Sequence, residues 1–291
     1  MKFLITGAGG FIGWNLASEL ADDGHAVVAI TRRRDVEFPR GVSGVTADIS
    51  KSSEALAEFL GDEVYVIHAA GHTHLIKNST DEDFNLGNIT TTENVMSAIS
   101  RQGASGLLYL STLSVYGQIS DPILTVQTLP DRPESYGRSK LAAEKLVESA
   151  KVAVPWTIVR LPGVLGPDNY WPWLGRIAGQ AKRGEVIQIY NGSAFFNNVT
   201  DIRDLGRLAI HLASGDVGIG QRVVNLAARN PLKIRDVVDE ILEGLGAKLQ
   251  VIEQPAQVSS FWIDITPLQE QLKFDPRTTR DMVRNYIKDC C

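Results

Sequence analysis

Phe3-Leu4-Ile5-Thr6-Gly7-Ala8-Gly9-Gly10-Phe11-Ile12-Gly13 is an apolar run that meets glycines at three-residue intervals. It reads as a strand, a tight turn and the first turn of a helix. Gly7 lets the chain reverse sharply, Gly10 lets backbone N–H groups approach a pyrophosphate, and Gly13 lets the helix pack against the strand. The unpaired N–H groups and the positive end of that helix, around Phe11 and Ile12, suit phosphate oxygens. The spacing is Gly-x-x-Gly-x-x-Gly rather than Gly-x-Gly-x-x-Gly. The preceding strand and following helix therefore carry the dinucleotide reading.

Working outward, a helical pattern runs from Gly13 through Leu16 and Leu20 to Gly24, and His25 to Ile30 forms an apolar strand fit for a parallel sheet. About 20 residues past the glycines an NAD-preferring fold places an acid against the ribose hydroxyls. This chain has Thr31-Arg32-Arg33-Arg34 there. Guanidinium groups at Arg32 and Arg33 suit a 2′-phosphate, so NADP is favoured over NAD. A solvated basic turn, with Asp35 beside it, is the alternative. Val42 to Thr46 and Val64 to Ala69 read as further strands around a helical stretch from Ser52 to Leu60. Asp48, with Ile49, either faces the adenine edge or caps a turn. His68-Ala69-Ala70 closes a strand with small residues where a cofactor crosses the backbone; His68 itself reads as packed. His72 and His74 read as loop residues overlooking a substrate, since no further donors stand at metal-binding spacing.

A helical pattern from Asp81 to Arg101 precedes the strand Gly106 to Leu110, which opens into Ser111-Thr112-Leu113-Ser114-Val115-Tyr116-Gly117. Further on, Tyr136-Gly-Arg-Ser-Lys140 puts a phenol and an ammonium four apart on one helix face. The ammonium favours the phenolate and so lowers the tyrosine pKa, giving a proton-transfer centre. An accidental pair on a solvated helix is the competing reading. The expected fold class is α/β, a doubly wound parallel sheet over residues 1–160, with a smaller region over 161–291 that mainly binds substrate and interlocks with the first. The 291 residues, 44% hydrophobic, support a substantial core. The net charge of -5 argues against nucleic acid. No apolar run approaches the ~20 residues of a membrane span, and no leader pattern opens the chain, so a cytoplasmic address is expected. Cys290 and Cys291, adjacent at the end, give neither a disulfide framework nor zinc spacing and read as a solvated tail.

In order along the chain, the glycine turn, the hydroxyl-bearing strand end before Val115-Tyr116-Gly117 and Tyr136-x-x-x-Lys140 resemble the extended short-chain dehydrogenase/reductase family. That family holds nucleotide-sugar epimerases, dehydratases and reductases. The likeness continues through Asn88-Ile-Thr-Thr-Thr-Glu-Asn94, with Thr91 where the family has glycine, and through Arg160-Leu-Pro-Gly-Val-Leu-Gly-Pro167. Asp201-Ile-Arg-Asp-Leu205, Val224-Asn-Leu-Ala227 with Pro231, and Leu272-Lys-Phe-Asp-Pro276 follow. The resemblance implies that Tyr136 is the general acid/base. Lys140 is then its partner, also bonded to the nicotinamide ribose, and Thr112 is the hydroxyl that binds the reacting oxygen. It adds Asn88, which steadies the active-site helix beside the cofactor, and Pro162 to Val164, which border the nicotinamide. A homodimer is also implied.

The departures narrow the chemistry. Family dehydratases follow the threonine with an Asp-Glu pair, and here Leu113 and Ser114 follow, so elimination lacks its acid/base pair. The family's diphosphate-clamping arginine is missing from Gly192-Ser-Ala-Phe-Phe-Asn-Asn198; Arg176, Lys182, Arg203 or Arg280 could serve instead. Aromatics between Asp168 and Trp173 suit a sugar ring or a base, or else pack a lid. The expected substrate-side set is His72, Thr112, Ser114, Trp173 and Arg203. The expected activity is hydride transfer at C4 of a nucleotide sugar. Alternatives are a 4-epimerase with retained NAD, a reductase of a non-sugar ketone, and a non-catalytic NADP-binding regulator.

Overall fold

The computed structural model describes residues 1–291 except 151, 168, 170–172, 216–219, 256–258 and 291. Seven strands form the main sheet: β1 (Lys2–Thr6), β2 (Ala26–Thr31), β3 (Val42–Thr46), β4 (Gly61–His68), β5 (Ala104–Thr112), β6 (Trp156–Leu161) and β7 (Gln221–Asn225). Their order is β7-β6-β5-β4-β1-β2-β3. β1 pairs parallel with both β2 and β4, and the outward pairs β2 with β3 and β4 with β5 are parallel too. The chain therefore winds one way from β1 to β3 and crosses back to β4. The strand order reverses between β1 and β4, and the crevice for a ligand lies outside the C-terminal ends of these strands.

The apolar runs explain this. Phe3, Leu4 and Ile5 of β1 and Val66 and Ile67 of β4 are fully or almost fully buried, as strands covered on both faces must be. Helices α1 (Phe11–Asp22), α2 (Thr91–Gln102) and α3 (Ser135–Ser149) supply the cover. One core gathers Leu4, Ile30, Leu56, Val66, Val95, Ile99, Leu107, Ala143 and Ile158. The Ser52 to Leu60 stretch is a 3₁₀ helix over Ser53–Phe59, with the Ser52 hydroxyl accepting the Glu54 N–H as its cap. The helical pattern from Asp81 to Arg101 is interrupted: Asp81–Phe84 and α2 flank a π-helical turn at Asn85–Thr90. The Thr91 and Thr92 hydroxyls donate back to the Gly87 and Asn88 carbonyls at 2.6 and 2.7 Å, so acceptors in the widened turn stay satisfied.

The described chain divides into two compact units. The first is residues 1–118, 129–160 and 205–224; the second is residues 119–128, 161–204 and 225–291. The two units are interleaved along the chain, with residues 205–224 returning to the first and 119–128 belonging to the second. Within the second unit, Gly163–Leu165 pairs parallel with Val199–Asp201, and Ile187–Tyr190 with Val251–Gln254. Its own core collects Leu165, Ile177, Ile187, Val237, Ile241, Met282 and Tyr286. No helix among the described residues is long and apolar enough to cross a membrane.

Candidate active site

The glycine turn joins β1 to α1 at the point where the strand order reverses. Gly7 has φ +70°, and a Cβ there would stand 2.5 Å from the Ala70 backbone, so the two strand ends touch without side chains between them. A Cβ on Gly13 would stand 2.5 Å from the Gly7 carbonyl, which fixes the helix hard against the turn. Gly10 is the N-cap of α1, in extended backbone, and no side chain caps that helix end. An uncapped, positively polarised helix start in a crevice lined by backbone fits the pyrophosphate of a dinucleotide. Phe11 and Ile12, half-buried, open that helix.

At the end of β2, Thr31 is buried while Arg32, Arg33 and Arg34 are exposed. Arg33 bonds Asp35 through Nη2 at 2.7 Å and Nε at 3.1 Å, and its Nη1 donates to the Gly9 carbonyl at 3.3 Å. The guanidinium thus lies across the glycine turn. Asp48 accepts the Ser50 N–H and hydroxyl, which hold its carboxyl below the ordinary carboxylate range. It is a turn-capping residue in this state. Ile49 is buried, with its carbonyl held by Asn94 Nδ2 at 2.8 Å.

His68 has no exposed surface. Thr92 Oγ1 donates to Asn88 O, so it accepts from His68 Nε2 at 3.0 Å; Nδ1 then accepts from Thr6 Oγ1 at 2.7 Å. Burial, with the Lys140 charge nearby, lowers its pKa to about 3, so the ring is neutral. The expected cofactor role of His68 narrows accordingly to its backbone and to that of Ala69 and Ala70. Asn88 sits in the π turn, 1% exposed. Its Oδ1 accepts the His72 N–H at 2.8 Å, and its Nδ2 donates to His72 O at 3.0 Å and to Ser139 Oγ at 2.8 Å. One amide therefore ties the loop after β4 to the helix that carries Tyr136 and Lys140. His72 bonds Ser79 Oγ at 2.7 Å, and the His74 ring lies 5.1 Å from that of Tyr136.

Thr112 ends β5 and caps the short turn Leu113–Tyr116, accepting the Ser114 N–H at 3.2 Å while its hydroxyl donates to Ser114 Oγ. Burial raises the Tyr136 pKa, and the Thr112 hydroxyl opposes that rise. The direction corrects the expectation that the lysine lowers it. Lys140 Nζ donates to the Leu110 carbonyl at 2.7 Å and lies 4.2 Å above the Tyr109 ring. Burial lowers the Lys140 pKa to about 7, with Glu144 opposing the fall. The ordinary value is about 10.4. Between those values the unfolded chain binds a proton that the folded chain does not, so unfolding free energy rises with pH. Urea unfolding at pH 7.5, 8.5 and 9.5 should show this rise, at most about 1.4 kcal/mol per pH unit from one group. Lys140→Met should remove it, and parallel curves for the two proteins would refute the depressed pKa.

In the second unit, Val164 is buried in the strand that follows Pro162, and Asn169 Nδ2 donates to its carbonyl at 2.6 Å. Trp173 packs its ring 5.3 Å from Phe196. The rest of the expected aromatic cluster, at 168 and 170–172, lies outside the described residues. Arg203 is bonded to Asp201 at 2.8 Å and to Asp289 at 2.7 Å, so its charge is answered within the unit. A diphosphate at Arg203, one of the four cations considered for it, would share the guanidinium with these two carboxylates. In the stretch that lacks the arginine, Asn197 is buried and braces Ala228 and Ile263. Sequence reasoning overlooked Ser139, Glu144 and the Arg160 side chain; the signal available was Glu144 four residues after Lys140 on the same face.

Residues 3–227 match the model of the NAD dependent epimerase/dehydratase family. The 2-alkyl-3-oxoalkanoate reductase of Stenotrophomonas maltophilia (strain K279a) is 28% identical over 85% of this chain and 76% of its own length. The GDP-6-deoxy-D-mannose reductase of Pseudomonas aeruginosa is 25% identical over 88% and 84%. Among solved structures, MoeE5 in complex with UDP-glucose and NAD superposes with a TM-score of 0.79 at 25% identity, covering 100% of this chain and 98% of that one. With a family match over most of its length, the chain belongs to the NAD dependent epimerase/dehydratase family, the extended short-chain dehydrogenase/reductase enzymes that its motifs resemble.

Proposed function

We propose that this chain is an NADPH-dependent reductase of the C4 ketone of a nucleotide sugar, working as a cytoplasmic homodimer. The observation that carries the reading is the grouping of Thr112, Tyr136 and Lys140 at the end of β5, with Leu113 and Ser114 where an eliminating acid pair would stand. A dinucleotide held by its pyrophosphate at the glycine turn would, in its reduced form, supply a hydride for the carbonyl carbon. Tyr136, kept protonated by burial, gives its proton to the carbonyl oxygen, and the Thr112 hydroxyl holds that oxygen in place. The Lys140 ammonium stabilises the phenolate left behind. Asn88 keeps the helix and the His72 loop fixed while the proton moves.

The substrate class draws on the relative named as a GDP-6-deoxy-D-mannose reductase. A second reading, reduction of a non-sugar 3-oxo acid, is favoured by the 28% identity to the 2-alkyl-3-oxoalkanoate reductase and by the engagement of Arg203 with two carboxylates. A third, 4-epimerisation with retained NAD, follows the family's name. The deciding assay offers 4-keto nucleotide sugars, 4-hydroxy nucleotide sugars and a 3-oxo acid with NADPH, following absorbance and product chromatography together. Oxidation of NADPH by the 4-keto sugar supports the proposal. Interconversion of 4-hydroxy epimers without net cofactor change replaces it with the epimerase, and turnover of the 3-oxo acid alone replaces it with the second reading.

For the cofactor, the exposed Arg32 and Arg33 support NADPH over NADH by at least tenfold, about 1.4 kcal/mol. Fluorescence titration should show the gap and its loss in the Arg32→Ala/Arg33→Ala double variant. Equal affinities in the parent would mean that Arg33 serves Asp35 and Gly9 alone.

A further inference from the structure

A single carboxylate gathers the segments that carry the reacting groups. Glu144 Oε1 accepts the Ser111 hydroxyl at 2.5 Å and Arg160 Nε at 3.1 Å; Oε2 accepts Arg160 Nε at 3.2 Å and Nη2 at 2.7 Å. Arg160, from β6, also donates through Nη1 to the Tyr116 hydroxyl at 2.9 Å and lies over that ring. The Glu144 side chain is 1% exposed and that of Arg160 11%. Ser111 adjoins Thr112, Tyr116 closes the turn that Thr112 caps, and Glu144 lies one helical turn beyond Lys140 and two beyond Tyr136. Burying an ion pair costs several kcal/mol per ion before the attraction is counted. Stability alone is thus a weak reason for placing this pair beneath the site.

We propose that Glu144 and Arg160 are a positioning pair for the proton-transfer centre: Glu144 holds a negative charge beside the Lys140 ammonium, Arg160 limits how much of that charge Lys140 feels, and together they lock the Thr112 turn against the Tyr136 helix. The proposal rests on the reading of Tyr136 and Lys140 as that centre. The groups facing Lys140 support it. On its own helix are Glu144 and Tyr136; below it on β5 is Tyr109, whose phenol burial keeps protonated; on β4 is the neutral His68; and behind Glu144 stand Arg160 on β6 and Tyr116 on the turn. Of these, Glu144 brings the negative charge, and its effect on Lys140 is to raise the pKa that burial lowers.

The test reads the Lys140 ammonium directly in the full chain without substrate, by ¹³C NMR of lysine labelled at Cε, with the resonance assigned by its loss in Lys140→Met. Glu144→Gln should lower the titration midpoint by at least one pH unit, and Arg160→Gln should raise it by a similar amount. Arg160→Lys, which keeps the charge, should leave it within about 0.3 unit of the parent. Opposite signs identify electrostatic positioning, because a purely structural brace, once loosened, would move the midpoint the same way in both variants. Shifts of one sign, or none above 0.3 unit, overturn the proposal. Where a single variant fails to fold, the Glu144→Gln/Arg160→Met double variant buries no unpaired charge. Its midpoint should fall below the parent's, and an unchanged midpoint overturns the proposal. Because the titration uses no substrate, its failure leaves the Tyr136 reading intact, whereas wild-type turnover by Tyr136→Phe would remove that reading whatever the titration shows.

Discussion

Tyr136→Phe is expected to lower kcat by about a hundredfold or more, equivalent to about 2.7 kcal/mol of transition-state stabilisation, while NADPH affinity changes little. The variant deletes one oxygen and leaves the ring, and the ring has its own contacts: the His74 ring at 5.1 Å and the Phe84 ring at 6.0 Å. Those contacts keep the helix and the loop after β4 where they are. In the proposed mechanism the lost oxygen is the proton donor. The loss should therefore appear in kcat and in kcat/KM to the same degree, the mark of an interaction made in the transition state. Steady-state kinetics on the ketone identified above, with a parallel NADPH titration, checks both halves. Full turnover by the phenylalanine variant would mean that another group supplies the proton, and His74, against the same ring, would be examined next.

Much of this site was legible because its signals are local. A glycine that must turn and a tyrosine and lysine one helical turn apart are each read within a dozen residues. Alternation of apolar runs with helical patterns then orders the strands around β1. What escaped depends on contacts between distant segments. Arg203 looked available because Asp289, its second partner, lies 86 residues away. The π turn at Asn85–Thr90 has no periodic signature, since it inserts its irregularity into a stretch whose composition is helical throughout. The direction of the Tyr136 shift was misread because spacing gives proximity on a helix face but not where an ammonium points. Lys140 reaches a carbonyl of β5, and burial then governs the phenol. Glu144 could have been flagged from its spacing, but its partners Ser111 and Arg160 come from two strands separated by a helix.

Gly7→Ala is expected to cost about 2–5 kcal/mol of stability and to weaken NADPH binding at least tenfold. Two physical terms add at this position. An alanine at φ +70° carries the left-handed penalty of about 1–2 kcal/mol. Its Cβ would also stand 2.5 Å from both N and Cα of Ala70, and backbone at the end of a central strand yields poorly, which adds about 1–3 kcal/mol. Gly24 separates the terms: its φ is +80°, yet nothing lies within 4 Å of the added carbon. Gly24→Ala should therefore cost about 1 kcal/mol from strain alone and leave NADPH affinity unchanged. Gly13→Ala isolates the other term, since its conformation is helical while its Cβ would meet the Gly7 carbonyl at 2.5 Å and Ala8 Cα at 2.8 Å. Urea unfolding and NADPH fluorescence titration on the three variants should rank Gly7→Ala as the most damaging in both measurements and Gly24→Ala as the mildest, with Gly13→Ala losing affinity because α1 is pushed away from the turn that aims its N–H groups. If Gly7→Ala proved as mild as Gly24→Ala, the Ala69-Ala70 backbone would have moved aside at little cost, and the close contact between the ends of β1 and β4 would not be what shapes the phosphate site.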